Sequence, residues 1–483
     1  MGVVNMENFM NLVIVVYVVN FFILLVLVCF ERRDPVVSLA WVLGFTLIPV
    51  VGFLFFLVFG RGLKKKTAKK YVGKWHTNID IEEKRQIERE IYDLHTNQDM
   101  PYRELMLYLL NVNRSVYTDG NDVRIYTEAR RKYNDLLMDI RNAKESIHML
   151  YFIIRDDQIS RLILKELAKK AQEGVEVRFL YDDFGSILTP RWIFNELKRA
   201  GGRVSAFFPV KLLGSYSKIN HRNHRKIVVI DGKIGYLGGI NIGDEYMSLK
   251  KLRPWRDTHI RVTGGCVRYI QKAFALDWGF STDEDLMFDA WKYFPEQEEA
   301  QGETGVQIVA CGPDSPEEEV KCAMINMISG AKQYIYLQTP YFVPDKPFIT
   351  ALTVAAKAGI DVRVMLPGKP DKKYVYYTSY SYIGELLDAG IRVFLYDGFI
   401  HAKTLVCDGE ISTIGTTNID IRSFQLHFEI NAILYGRKTA VECERIFVND
   451  MKSCHEIVEE EYKKRGIFQQ MKEGFFRLFS PIL

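Results

Sequence analysis

His224 and His401 each open the same eighteen-residue pattern. The first copy runs His224-x-Lys226, four residues, Asp231, six residues, then Gly238-Gly239-x-Asn241; the second runs His401-x-Lys403, four residues, Asp408, six residues, then Gly415-Thr416-x-Asn418. One His-x-Lys-x4-Asp match is weak evidence, since a lone His-x-Lys before a strand is usually its solvated start. Two copies with equal downstream spacing are strong evidence. An apolar run follows each lysine, Ile227-Val228-Val229-Ile230 and Thr404-Leu405-Val406-Cys407, with the length and β-branched content of a buried strand. Residues two apart on a strand share a face, so imidazole and ammonium can meet one anion, and the Gly/Asn turn brings backbone close to the same point. Such a grouping suits a phosphate ester.

The chemistry of phosphorus explains why there should be two copies. In-line displacement puts nucleophile and leaving oxygen on opposite sides, so a nucleophilic imidazole on one side needs a proton donor on the other. Imidazole can serve as either near neutrality, with an ordinary pKa of about 6.5. Lys226, Lys403, Asn241 and Asn418 would hold the non-bridging oxygens. Each histidine also needs an acceptor on its other ring nitrogen, and a carboxylate follows each motif: Asp257 in Trp255-Arg256-Asp257-Thr258-His259 and Glu429 in His427-Phe428-Glu429-Ile430-Asn431. Asp231 and Asp408 belong to the motifs but stand at the far end of each strand, before a Gly turn where Asp is common for its own reasons. His221 has no lysine two residues on and reads as a surface or supporting residue. No metal site and no cofactor are expected: His221 and His224 are the only histidines three or four apart, and no carboxylate or thiol lies between them.

The elements that carry this chemistry can be read from the ends inward. Residues 9–30 and 36–59 are uncharged apolar stretches, each long enough to cross a bilayer, joined by Glu31-Arg32-Arg33-Asp34-Pro35. They predict a transmembrane hairpin over residues 1–63; a cleaved signal peptide is disfavoured by the length of the first stretch and by the second span directly after it. Arg61, Lys64, Lys65, Lys66, Lys69 and Lys70 follow, against two cations in the connecting loop, which places the large C-terminal part on the cytoplasmic side and suits contact with anionic lipid. A net charge of +4 and the lack of a long basic, aromatic groove argue against nucleic acid as partner. Seven cysteines without a Cys-x-x-Cys argue against a disulfide framework and for a reducing compartment.

Two halves echo each other beyond the motifs. Ala143–Phe152 parallels Ala331–Phe342, Gly174–Leu180 parallels Gly359–Leu366, and Ala200–Val204 parallels Ala389–Val393. Helix running into strand in each case predicts an α/β fold, with two domains of mixed sheet flanked by helices. The expected divisions are a charged connector over 64–105, a first domain over 106–300 and a second over 301–483, with the boundary in Glu296–Gly305. The first half carries about a dozen extra residues in Phe207–Asn223, a basic, aromatic loop of the kind that sets specificity. Gly466–Leu483, with Ile467, Phe468, Met471, Phe475, Phe476, Leu478 and Phe479, reads as an amphipathic element that either dips into a membrane interface or packs on the body.

The doubled motif resembles that of the phospholipase D superfamily. Gly239-Ile240-Asn241-Ile242-Gly243-Asp244-Glu245-Tyr246, Trp255-Arg256-Asp257-Thr258 and Gln338-Thr339-Pro340-Tyr341-Phe342-Val343-Pro344-Asp345 are similar to its bacterial cardiolipin synthase branch in particular, as is the arrangement of the N-terminal apolar segments. The wider superfamily often has Ser at the position of Gly239, so one hydroxyl contact to phosphate is missing from the first half. The resemblance implies two phospholipase D-like domains related by a pseudo-two-fold axis, with one site between them. It also implies a phosphatidyl transfer that joins two phosphatidylglycerol molecules into cardiolipin and glycerol, in the bacterial cell membrane. His224 would be the nucleophile that carries a phosphatidyl-histidine intermediate and His401 the acid, although the two motifs by themselves serve either assignment. A phospholipase D or a phosphatidylserine synthase-type enzyme would use the same residues with water or serine as acceptor, and a non-catalytic lipid-binding scaffold would keep the fold.

Overall fold

In the computed structural model the strands form in pairs that repeat between the halves. The structure describes residues 2–30, 35–59 and 100–482 apart from 211–219, 248–254, 288–289, 297–301 and 316, together with isolated positions between 87 and 96. The basic run at 61–70, the loop at 31–34 and most of the expected connector lie outside the described residues. The first half supplies β1 (Thr118–Tyr126), β2 (Ser146–Tyr151), β3 (Glu176–Asp182), β4 (Arg203–Phe207), β5 (Ile227–Ile230), β6 (Ile234–Gly238), the short β7 (Trp255–Arg256) and β8 (His259–Thr263). The second supplies β9 (Thr304–Cys311), β10 (Tyr334–Gln338), β11 (Phe342–Val343), β12 (Asp361–Pro367), β13 (Arg392–Tyr396), β14 (Phe399–Ile400), β15 (Thr404–Cys407), β16 (Ile411–Gly415), β17 (Ile419–Asp420), β18 (Glu429–Tyr435) and β19 (Cys454–Ile457).

One mixed sheet of fifteen strands runs through both halves in the order β19-β13-β12-β10-β15-β16-β18-β9-β1-β8-β6-β5-β2-β3-β4. Read outward from the antiparallel β1–β9 pair, the two halves have matching orders. The repeats found in the sequence fall on β2 and β10, β3 and β12, and β4 and β13, where parallel pairing follows a crossover helix. Helices cover these strands with apolar stripes; Tyr133, Leu136, Leu137 and Ile140 of the helix Ala129–Asn142 pack into the same buried cluster as Ile147, Met149, Val228 and Tyr236. The described strands of both halves belong to one compact unit.

The apolar N-terminal segment forms a separate unit. Its first helix, Gly2–Phe30, contains a span, Asn8–Val26, long and apolar enough to cross a membrane. The second apolar stretch is divided into Pro35–Leu47 and Pro49–Phe59, because Pro49 lacks the N–H that would continue the ladder. Among the described residues, neither piece alone reaches the length of a span. Phe45 and Phe56 stack edge to face at 5.3 Å with Trp41 beside them, and Asn20 donates to the Pro49 carbonyl at 3.0 Å, so the break is packed against the first helix.

Candidate active site

The His-x-Lys segments lead into β5 and β15, each the inner neighbour of β2 or β10. The backbone at and just before each histidine pairs with the other half. His224 N–H donates to the Phe428 carbonyl at 2.9 Å and His401 N–H to the Arg256 carbonyl at 2.6 Å; Asn223 bridges to Phe428, and β14 pairs with β7. This exchange of backbone delivers the carboxylates crosswise. His224 Nδ1 lies 2.9 and 3.0 Å from the two oxygens of Glu429, and His401 Nδ1 lies 2.6 Å from Asp257 Oδ2. Each carboxylate follows one motif in the sequence and meets the histidine of the other in the fold.

All four motif cations and imidazoles are buried. Lys226 and Lys403 each donate to the carbonyl of the histidine two residues back, which fixes both side chains on one face of their strands. Burial, with Lys226, Lys403 and His401 adding like charge, holds His224 well below the usual imidazole range. Burial and Lys403 lower His401 to about 4, with Asp257 opposing them. Lys226 is pushed well down by burial, and Lys403 falls to about 8, partly restored by Asp257 and Glu429. Four groups that gain from a bound anion thus share one desolvated pocket.

The amides differ. Asn241 Nδ2 donates to Tyr246 at 2.6 Å and its Oδ1 accepts from the Ile153 N–H, whereas Asn418 Oδ1 is buried with no hydrogen-bond partner among the described residues. Gly239 has a steric reason: a Cβ there would lie 2.1 Å from Asp257 Oδ1. Its counterpart Thr416 spends its hydroxyl on the Ile430 backbone, accepting from N–H at 2.9 Å. Neither half therefore presents a free hydroxyl at this place.

Asp231 and Asp408, grouped with the catalytic residues on the motif alone, are not brought to the histidines. Asp231 accepts three backbone N–H groups, from Lys144, Glu145 and Ser146, and Asp408 those of Lys332, Gln333 and Tyr334. Both have positive φ, 53° and 55°, and seal the turn at the far end of β5 and β15. A strand rises roughly 3.3 Å per residue, so the five residues from lysine to aspartate keep them well away from substrate. His221 is buried rather than at the surface.

Sequence reasoning passed over several groups. Arg225, between His224 and Lys226, points to the opposite face and pairs with both Asp277 oxygens at 2.9 Å while donating to the Glu429 and Cys311 carbonyls, so it pins the halves together. Arg256 does similar work with Asp450 at 2.7 Å. The alternation of a strand was the available signal for Arg225; Asp277 and Asp450 carried none. Phe152 packs edge-on to His224 at 4.8 Å, with His427 at 5.7 Å, while Trp255, Phe399 and Tyr246 surround His401 at 5.5, 5.8 and 6.2 Å. His224, His427 and Glu429 each offer a metal-ligand atom within 4.8 Å of the others, a grouping assembled from both halves that sequence spacing does not reveal. Its carboxylate is already engaged by His224 Nδ1.

Near His401 a small cavity of about 20 Å³ is lined by Tyr341, Asp371, Lys372, Tyr376, Tyr380 and Phe399 among others. Tyr341 donates to Asp371 at 2.5 Å, leaving polar and aromatic groups together at its wall.

Comparison with known proteins agrees with this geometry. The family model described as "Cardiolipin synthase, PLD-like domain" matches residues 136–251 and 324–451, and "Phospholipase_D-nuclease N-terminal" matches 14–61. The chain is 42% identical over 476 residues to "Major cardiolipin synthase ClsA" of Bacillus subtilis, covering 97% of this chain and 98% of that one. It is 40% identical over 477 residues to "Cardiolipin synthase" of Listeria monocytogenes, covering 98% and 99%. Among solved structures, phosphatidylserine synthase of Haemophilus influenzae shares the fold, with a TM-score of 0.59 at 14% identity over 79% of this chain and all of that one. Two matched halves and a likeness that runs nearly the whole length, on a site built from both copies of the motif, mean that the chain belongs to the cardiolipin synthase family of the phospholipase D superfamily.

Proposed function

We propose that this protein is a membrane-bound cardiolipin synthase that transfers the phosphatidyl group of one phosphatidylglycerol to the terminal hydroxyl of another, releasing glycerol. The observation that carries the reading is the crossed pair of buried dyads, His224 with Glu429 and His401 with Asp257, in one pocket with two lysines. His224 attacks phosphorus through Nε2, and a phosphatidyl-histidine forms as the P–O bond to glycerol breaks. Glu429 accepts the Nδ1–H and stabilises the imidazolium. His401 gives its proton to the departing glycerol oxygen, then takes one from the incoming lipid hydroxyl, which attacks phosphorus and frees His224. Lys226, Lys403 and Asn418 hold the non-bridging oxygens; the bound phosphate's negative charge lifts His401 from its depressed state, so that it can carry the proton.

The assignment of His224 as nucleophile is favoured by its two-oxygen acceptor, which holds the ring proton on Nδ1 and leaves Nε2 free to attack, and by the burial that keeps it below the usual imidazole range. Imidazole, ammonium and amide supply nucleophile and charge, so the reaction needs no cofactor. The apolar N-terminal helices serve as a two-span anchor, with the basic run at 61–70 on the cytoplasmic face. A phospholipase D or a phosphatidylserine synthase differs in the acceptor alone, so products decide. Purified protein given phosphatidylglycerol as the sole lipid should yield cardiolipin and glycerol in equal amounts; phosphatidic acid as main product would overturn transfer in favour of hydrolysis, and no product would favour a scaffold.

A further inference from the structure

The helix Ile467–Arg477 is built the wrong way round for a soluble surface. Its one buried residue is Glu473, paired with Arg465 at 3.2 Å. Its apolar residues face out: Phe468 is 77% exposed and Leu478 is 76% exposed, with Ile467, Met471 and Phe475 in the same exposed class. These positions fall along one stripe of a helix, the side that globular proteins bury. The helix is nevertheless held firmly to the body. Phe476 stacks on Tyr377 at 5.8 Å, the Phe476 carbonyl accepts from Thr378 Oγ1 at 3.2 Å, and Arg477 donates to the Ser381 carbonyl and pairs with Glu385.

Its seat is the helix Lys373–Ser381, whose Tyr376 and Tyr380 line the cavity that also holds Phe399, the ring packed 5.8 Å from His401. A second exposed apolar segment follows β3, the strand equivalent to β12 in the other half. There Leu188 is 80% exposed, and Phe184, Ile187 and Trp192 are exposed beside it. Ser186 in that loop donates to the carbonyl of Phe152, whose ring meets His224 at 4.8 Å. Exposed apolar surface thus borders the wall of each histidine.

We propose that the outward face of the Ile467–Arg477 helix docks into the interfacial layer of a bilayer that contains anionic lipid, seating the rim of the site on the membrane that holds its substrate. The inference rests on the phosphatidyl-transfer reading. It commits to lipid rather than to a protein partner for two reasons. Lys464 leads into the helix and Lys472 lies within it, both exposed and able to meet phosphatidylglycerol head groups, while Lys463 and Arg465 beside them pair with Glu459 and Glu473. A phosphodiester carrying two acyl chains must also reach His401 without leaving the bilayer, and a protein covering this rim would stand in its way. The helix then works as a fixed shoe, and the N-terminal anchor as a tether.

The experiment uses the full chain reconstituted in vesicles containing phosphatidylglycerol, with benzoylphenylalanine in place of Phe468. Irradiation should give lipid adducts on the protein; crosslinks to a second copy or to itself, without lipid, would overturn the proposal. In parallel, the double variant Phe468→Asp, Phe475→Asp should lose about tenfold of its turnover on vesicle lipid while keeping its rate on short-chain phosphatidylglycerol dispersed as monomers. Equal turnover on vesicles would also overturn it. If the wild type fails to make cardiolipin from the dispersed lipid, the transfer reading fails, and the crosslink still reports docking independently.

Discussion

Around His224 and around His401 the chain builds the same scaffold and different walls. Each histidine is pinned by backbone from the other half and faces a carboxylate from it, but Glu429 offers both oxygens to His224 and Asp257 one to His401. Phe152 and His427 flank the first; Trp255, Phe399 and Tyr246 enclose the second. On the first side the asparagine is spent on Tyr246, and on the second it keeps a buried, open oxygen. Duplication sets where the groups stand, and it leaves two chemically identical side chains with unequal surroundings.

The largest effects should come from breaking the two dyads separately. Glu429→Gln and Asp257→Asn should each cost about 10²- to 10⁴-fold in turnover of phosphatidylglycerol. With a nitrophenyl phosphodiester, whose leaving group departs unaided, Asp257→Asn should recover a covalent adduct and Glu429→Gln should not; equal recovery would mean that the halves are interchangeable. Gly239→Ser should follow, with a loss of up to about 100-fold, because a Cβ pressed on Asp257 displaces the acceptor of His401 alone. Thr416→Ser keeps its backbone contacts and should be close to neutral.

Acidity sharpens the comparison further. Burial lowers Lys403 to about 8, so its positive charge is lost as pH rises through that value. Values of kcat/KM on dispersed substrate should fall above it, and Lys403→Arg should move the fall upward. The sign for stability is opposite: the folded lysine releases its proton before the unfolded one, so the unfolded chain binds more protons from about 8 to the ordinary 10.5, and the cost of burying the charge is relieved as pH rises through that range. Thermal melting across the range separates lost charge from unfolding. The smallest effect on catalysis belongs to Asp231→Ala and Asp408→Ala. Each should lower stability by about 1–3 kcal/mol, through unpaired backbone N–H groups, and leave kcat/KM of the folded fraction near wild type.

Those aspartates mark how far the sequence could be read. The motif's spacing is local and each run after Lys226 and Lys403 has a strand's pattern, so the face shared by His and Lys was legible, and so was the repeat behind β2, β3 and β4. The carboxylates were legible as candidates, but their crossing was not, because it depends on β7 meeting β14 and Asn223 meeting Phe428, contacts between segments far apart in the chain. Arg225 was hidden by the habit of reading only the alternate residues of a motif. In the second apolar stretch hydropathy was informative, but the break at Pro49 that divides it into two helical pieces was not read from it. The C-terminal segment posed a choice between packing and exposure; its Phe476 packs and its Phe468 does not.

Division of labour between the histidines is the central claim, and adduct mapping tests it most directly. Wild type, His224→Ala and His401→Ala would be mixed with a lipid nitrophenyl phosphodiester, quenched rapidly with alkali, and digested for mass spectrometry. The account predicts a phosphatidyl group on His224 in the wild type and in His401→Ala, and none in His224→Ala. Adduct on His401, surviving in His224→Ala and absent from His401→Ala, would contradict it.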